Sequence, residues 1–208
     1  KMNNKIYIIA EIGINHNGDL SIAKKLIDIA KVAGCDVVKF QKRNPDICVP
    51  EHQKSVMRDT PWGRMSYLEY KYKVEFGKKE YDEINEYCKS CGIEWTASPW
   101  DLDSLNFLNQ YDNLPFIKIP SALLTDLELI KKTTATGKKI VISTGMSTLD
   151  EVDAAVKTIK ETRSDASFAV LHCNSTYPAP NNELNLNCIQ TLKDRYNCEV
   201  GYSGHEFG

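Results

Sequence analysis

At 208 residues, with 42% apolar and 26% charged residues and a formal net charge of −2, the chain has the composition of an ordinary globular protein able to bury one sizeable core. That balance excludes a basic nucleic-acid-binding protein, and the longest apolar runs, at residues 6–10 and 140–142, are far too short to cross a bilayer. The start carries no secretory pattern, and seven cysteines, an odd number, suit reduced thiols better than a disulfide framework, so a cytoplasmic setting is expected.

Hydrophobic runs set against helical periodicity predict a strand at residues 5–10 and a helix at 20–33. In that helix Ala23, Leu26, Ile27, Ala30 and Ala33 form one apolar stripe, and Asp19 is the expected N-cap. A second strand is predicted at 37–40. The interval 41–77 is too long for a simple connection and carries Trp62, Tyr67, Tyr70 and Tyr72 among charged residues. It suits either a substrate-covering loop or an excursion packed on its own domain or on a neighbouring subunit. Beyond it the pattern alternates through a helix at 78–91, a strand at 94–97, a helix at 101–109, a strand at 116–119 and a helix at 126–136. A strand at 139–143, a helix at 149–161, a strand at 168–171, a weaker helix at 186–196 and a strand at 199–202 complete the series.

Gly34, Gly92 and Gly137 each stand between a helix and the next strand, as returns that end a helix in a left-handed residue. Strands alternating with helices predict a parallel α/β sheet, closed as a barrel or open and doubly wound. No G-x-G-x-x-G follows the first strand and no Walker-type lysine motif is present, which favours one domain over 1–208 built as a (β/α)8 TIM barrel.

Polar residues fall where the predicted strands end: Glu11 after the first, Lys39 and Gln41, Thr96 and Ser98, Lys118 and Ser121, Ser143 and Thr144, His172 and Asn174, then Ser203 and His205. The carboxyl ends of barrel strands form the active-site face, so this distribution predicts one convergent pocket. Two lysines, several hydroxyls and one acid describe a site for a small, multiply charged anion. Lys39 or Lys118 also suits a class I aldolase, in which a lysine forms a Schiff base with a keto acid, and a non-catalytic sugar-phosphate-binding barrel is a third reading.

Several segments carry a more specific signal. They are Ala10-Glu11-Ile12-Gly13-Ile14-Asn15-His16-Asn17-Gly18, Val38-Lys39-Phe40-Gln41, Lys118-Ile119-Pro120-Ser121, Ser143-Thr144-Gly145-Met146, Leu171-His172-Cys173 with Tyr177-Pro178, and Gly201-Tyr202-Ser203-Gly204-His205-Glu206. In this order and at this spacing they resemble the sialic acid synthase family along the whole chain. The segments Thr60-Pro61-Trp62-Gly63, Tyr70-Lys71 and Glu75-Phe76, with the final glycine-flanked motif, look closer to its animal-type branch.

The resemblance implies a transferase of N-acetylneuraminate synthase type, which condenses phosphoenolpyruvate with N-acetylmannosamine or a related N-acetylated amino sugar and releases phosphate. It implies a divalent metal, with manganese expected first and magnesium or cobalt as alternatives, and a homodimer in the full-length protein. Carried over by position, Lys39, Lys118, Ser121, Ser143 and Ser203 match residues that hold the carboxylate and phosphate of phosphoenolpyruvate, while Thr96 and Ser175 match two further contacts. Ser175 departs from the asparagine of the bacterial capsule enzymes. Tyr177 matches a sugar-side contact, and Glu11 matches the acid beside the reacting centre, either moving a proton or orienting sugar and water. His205 matches one of two metal-binding histidines. The family's second histidine lies on an eighth strand, and the family also has a small antifreeze-like C-terminal domain. Neither falls within these residues, so a barrel domain cut after its seventh strand is expected.

Three motifs are set aside. Cys88 and Cys91 have redox spacing but sit at a predicted helix C-terminus, where the dipole disfavours a thiolate. Asn174-Ser175-Thr176 is formally a glycosylation sequon on a pocket strand. His16 is expected to shape the strand-end face, His172 suits a core role equally well, and His52 has no assignable role.

Overall fold

The alternation of strand and helix yields two compact units, one running to Leu114 and the other beginning at Pro115. The structure is a computed structural model that describes residues 5–206. In the first unit the elements are β1 (Ile9–Gly13), α1 (Leu20–Val32), β2 (Val37–Lys42), α2 (Pro45–Cys48), α3 (Glu51–Lys54), β3 (Met57–Thr60), β4 (Gly63–Ser66), α4 (Tyr67–Val74), α5 (Lys78–Cys91), β5 (Glu94–Pro99) and α6 (Leu102–Leu108). β1, β2 and β5 form a parallel sheet in that order.

The first strand is displaced from its predicted span of residues 5–10. Ile6, Tyr7 and Ile8 are apolar but 79%, 46% and 47% exposed. They stay largely outside the core, and the parallel ladder starts only at Ile9 opposite Val37. Glu11 is therefore an interior residue of β1 rather than its successor. Asp19 caps α1 as expected, its carboxylate accepting from the backbone N–H of Ser21 at 2.7 Å and Ile22 at 3.2 Å. Ala23, Ile27 and Ala30 are buried and Leu26 is half-buried, while Ala33 lies beyond the last turn and is exposed. The three predicted return glycines all have positive φ, with Gly34 at 82°, Gly92 at 66° and Gly137 at 81°. Behind the sheet, the Tyr81 ring of α5 lies 6.2 Å from Phe40 and 5.5 Å from Trp95, a cluster excluded from water.

The interval 41–77 has structure of its own. Two one-turn helices lead into the antiparallel hairpin β3–β4, whose turn carries Pro61 and Trp62, and then into α4. α4 starts at a reciprocal capping box that sequence reading did not single out, in which Ser66 Oγ accepts from the Glu69 N–H and Glu69 accepts from the Ser66 N–H. The excursion is tied back at its end: Glu75 Oε1 accepts from Lys42 Nζ at 3.0 Å and from the Arg43 N–H at 3.2 Å. Both side chains of this ion pair are almost fully buried, and burial holds the Glu75 carboxyl above its usual range.

His16 follows β1 and is 2% exposed, its ring stacked 3.8 Å from Phe76, with Nδ1 accepting from the Gly18 N–H at 3.0 Å. Burial pushes its pKa from 6.5 down to about 4, so the folded chain holds it neutral at pH 7. Between those two values the unfolded chain takes up a proton that the folded chain refuses. Stability therefore falls as pH drops through that window, by at most about 3 kcal/mol, and this residue adds nothing further at lower pH. Urea midpoints at pH 7 and pH 4.5 test this, since His16→Phe is expected to flatten the fall. An equal fall in both proteins would show that other groups cause it.

In the second unit β6 (Ile117–Ile119), α7 (Leu127–Ala135), β7 (Ile140–Ser143), α8 (Leu149–Thr162), β8 (Phe168–Cys173), α9 (Cys188–Tyr196) and β9 (Glu199–Ser203) alternate. Their strands form a parallel sheet in the order β6-β7-β8-β9. β6 is short because Pro115 and Pro120 bracket it and neither can donate to a ladder. The expectation of a (β/α)8 barrel cut after its seventh strand is met in part: seven described strands are parallel, in a three-stranded and a four-stranded sheet, β3 and β4 form a separate antiparallel pair, and no closed barrel is defined among the described residues. The sheet is backed by Ile130 of α7 and Ile159 of α8, both fully buried, each such side chain contributing roughly 1.5–3 kcal/mol.

All seven cysteines are free. Cys88 is buried, which pushes its thiol up to about 12, so the Cys88–Cys91 spacing supplies no reactive thiolate at that position. No described helix is long and apolar enough to cross a membrane.

Candidate active site

Register builds the first unit's contribution. Glu11 on β1, Lys39 on β2 and Thr96 on β5 are direct neighbours across three parallel strands. Alternation along β2 turns Lys39 and Gln41 to one face and Val38 and Phe40 to the helix-covered face. Lys39 is 5% exposed. Its ammonium pairs with the Glu11 carboxylate and donates to Ser98 Oγ at 3.2 Å. Burial of a lysine demands such partners. Glu11 is half-exposed, so one edge of the pair faces solvent. Thr96 and Ser98 are buried beside them.

An irregularity in β1 between Glu11 and Gly13 sets the direction of the Glu11 side chain. Gly13 has φ +57, and a Cβ there would come within 3.1 Å of Glu11 Oε1 and 3.5 Å of Gln41 Nε2. The carboxylate and the Gln41 amide thus close over bare backbone, a conjunction that sequence reading did not single out.

The second unit supplies hydroxyls. Lys118, nearly buried on β6, lies opposite Val141, two residues before Ser143, so both polar residues share one sheet face. Ser143 ends β7 fully buried, and its hydroxyl has no hydrogen-bond partner among the described residues. Buried polar groups are nearly always paired, and this hydroxyl keeps its hydrogen-bonding capacity on the sheet face it shares with Lys118. Ser121 opens a short 3-10 turn after Pro120, and its Oγ accepts from the Gly145 N–H at 3.0 Å. Ser175 follows β8 and lines an open cavity of about 380 Å³ with His172, Asn174, Thr176, Glu183 and others. Ser203 ends β9 opposite Cys173.

Tyr177 and His205 form a separate contact after β8 and β9. His205 Nδ1 lies 2.7 Å from the Asn174 carbonyl, and a carbonyl only accepts, so Nδ1 carries the proton. Nε2 then holds the lone pair, and the Tyr177 hydroxyl donates to it at 2.6 Å. The rings are 3.9 Å apart. This tautomer suits a metal ligand, whose second ring nitrogen characteristically donates to a carbonyl or carboxylate. Among the described residues no group of three or more His, Cys, Asp or Glu side chains could hold a metal, so only this one ligand position is defined. His172, by contrast, is structural: its Nε2 lies 2.6 Å from the Leu184 carbonyl and holds the loop after β8. Sequence reading missed the Asn174 carbonyl, because a main-chain partner has no residue-type signature.

Each unit thus carries polar side chains on a parallel sheet of an α/β fold, a buried lysine–carboxylate pair in the one and serine hydroxyls in the other. The family model described as the NeuB family matches residues 26–208, and the chain belongs to that family. It is 41% identical over 207 residues to the N,N'-diacetyllegionaminic acid synthase of Campylobacter jejuni, covering 98% of this chain and 62% of that protein. It is 40% identical to the N-acetylneuraminate-9-phosphate synthase of Drosophila melanogaster, covering 100% of this chain and 56% of that protein. These near-equal identities do not favour the animal-type branch. The crystal structure of the N-acetylneuraminic acid synthetase from Leptospira borgpetersenii, in complex with citrate, superimposes with a TM-score of 0.87 at 32% identity, covering 99% of this chain and 67% of that one. The chain therefore spans roughly three-fifths of the length of the curated relatives it matches.

Proposed function

We propose that the protein of which this chain is part condenses phosphoenolpyruvate with an N-acetylated amino sugar to give a nonulosonic acid and phosphate. The observation that carries the reading is the buried Lys39 in the interior of β2, charge-paired to a half-exposed Glu11 and bonded to Ser98. The orphan hydroxyl of Ser143 supports it, and so does the citrate, a small polyanion, in a related structure.

In this reading Lys39, Thr96, Lys118, Ser121, Ser143, Ser175 and Ser203, matched by position to the family, hold the carboxylate and phosphate and stabilise charge as it shifts. The enol carbon C3 bonds to the sugar aldehyde carbon, water adds at C2, and the C2–O bond breaks to release phosphate. Glu11 holds a proton at the reacting centre or orients the water, and Tyr177 contacts the sugar. A divalent cation, manganese first, would take His205 Nε2 as one ligand and polarise the aldehyde when bound. At Lys39 a Schiff base is disfavoured, since its ammonium is engaged by a carboxylate and a hydroxyl and presents no lone pair to a carbonyl.

The test is phosphate release by the full-length protein from phosphoenolpyruvate and manganese with N-acetylmannosamine, its 6-phosphate or a diacetamido sugar. Release with one of them is expected. No release with any, or stable lysine labelling by borohydride and pyruvate, would overturn the proposal.

A further inference from the structure

We infer that Gly145 is a positioning residue for the substrate's anionic group: its missing side chain is the space in which the Ser121 and Ser175 hydroxyls converge. The inference rests on the function proposed above and adds a residue to the same site. Gly145 is not among the glycines with positive φ, so its backbone conformation does not demand glycine. The demand comes from its neighbours. A Cβ would lie 2.1 Å from Ser175 Oγ, 2.8 Å from Ser121 Oγ and 3.2 Å from Cys173 Sγ.

The Gly145 N–H donates to Ser121 Oγ, which fixes that oxygen as acceptor on one side and turns its own proton elsewhere. The main chain at Gly145 thus brings the Ser121 and Ser175 hydroxyls together, and an anion is the ligand that accepts from both. Every atom in conflict with an added methyl is the end of a rotatable side chain. Alanine would therefore swing the two hydroxyls away and spare the backbone.

The experiment compares Gly145→Ala with wild type in the full-length protein, using inorganic phosphate and phosphoenolpyruvate as calorimetric probes. Affinity for both is expected to fall about tenfold to a hundredfold, the loss of one or two hydrogen bonds to a charged group, with far-UV circular dichroism retained. In turnover the KM for phosphoenolpyruvate should rise and that for the sugar should not. If Gly145→Ala melts earlier yet binds both probes as wild type does, the glycine is only structural and the inference is overturned. A wild-type protein that binds neither probe overturns the proposed function, and this inference with it. Should Gly145→Ala fail to fold, adding Ser175→Ala removes the nearest conflict. The double variant is then expected to bind phosphate more weakly than Ser175→Ala alone, and equal binding would refute the role.

Discussion

Replacing Lys39 by methionine is expected to lower kcat/KM for phosphoenolpyruvate by about a thousandfold or more while leaving the fold intact. Methionine is close in length and volume to lysine and suits a position that is 5% exposed and flanked by Val38 and Phe40. The partner left behind is not stranded, because Glu11 is half-exposed and water can solvate its carboxylate. What disappears is a fixed positive charge at a position only 5% exposed, where its effect on an anion exceeds that of a surface lysine. Lys39→Arg should rescue little, since a planar guanidinium cannot occupy the same space between Glu11 and Ser98. Phosphate release and thermal melting read the two effects separately. Activity within about tenfold of wild type would move Lys39 from the site to a structural ion pair.

The contrast between Lys39 and its surroundings shows what the residues could and could not announce. Helix limits were legible where a side chain supplies the cap: Asp126 accepts from the Leu129 N–H at 3.0 Å, and α7 begins beside the predicted start. Strand-end lysines and hydroxyls were legible because strand periodicity and residue type are both local properties. The first strand was misplaced because Ile6 and Ile8 satisfy that periodicity without being buried, and burial is decided elsewhere in the chain. The hairpin β3–β4 escaped notice because its four-residue strands are too short for any period to stand out. The seven parallel strands were legible in the alternation, which does not specify whether every neighbouring pair forms a ladder. At the site, the Ser98 hydroxyl beside Lys39 and the Asn174 carbonyl beside His205 arise from strand register, which no residue type encodes.

His205→Ala is expected to weaken manganese binding by at least about tenfold in calorimetric titration, with a parallel loss of synthase activity. The argument runs through the other nitrogen of the ring. Because Nδ1 donates to the Asn174 carbonyl at 2.7 Å, the imidazole is held in the tautomer that leaves Nε2 basic, and rotation about the side chain would break that bond. The carbonyl is main chain and cannot be deleted, so the orientation is fixed by the fold and not by a replaceable side chain. Tyr177 is 74% exposed and donates to Nε2 at 2.6 Å, so it can yield that lone pair by rotating outward at small cost. Tyr177→Phe should accordingly keep manganese affinity within about threefold or improve it, because one hydrogen bond of about 1 kcal/mol no longer competes, while the KM for the sugar rises. If instead Tyr177→Phe destroys metal binding and His205→Ala preserves it, the tyrosine and not the imidazole is the ligand, and the tautomer at His205 serves only to pin β9 to the loop that follows β8.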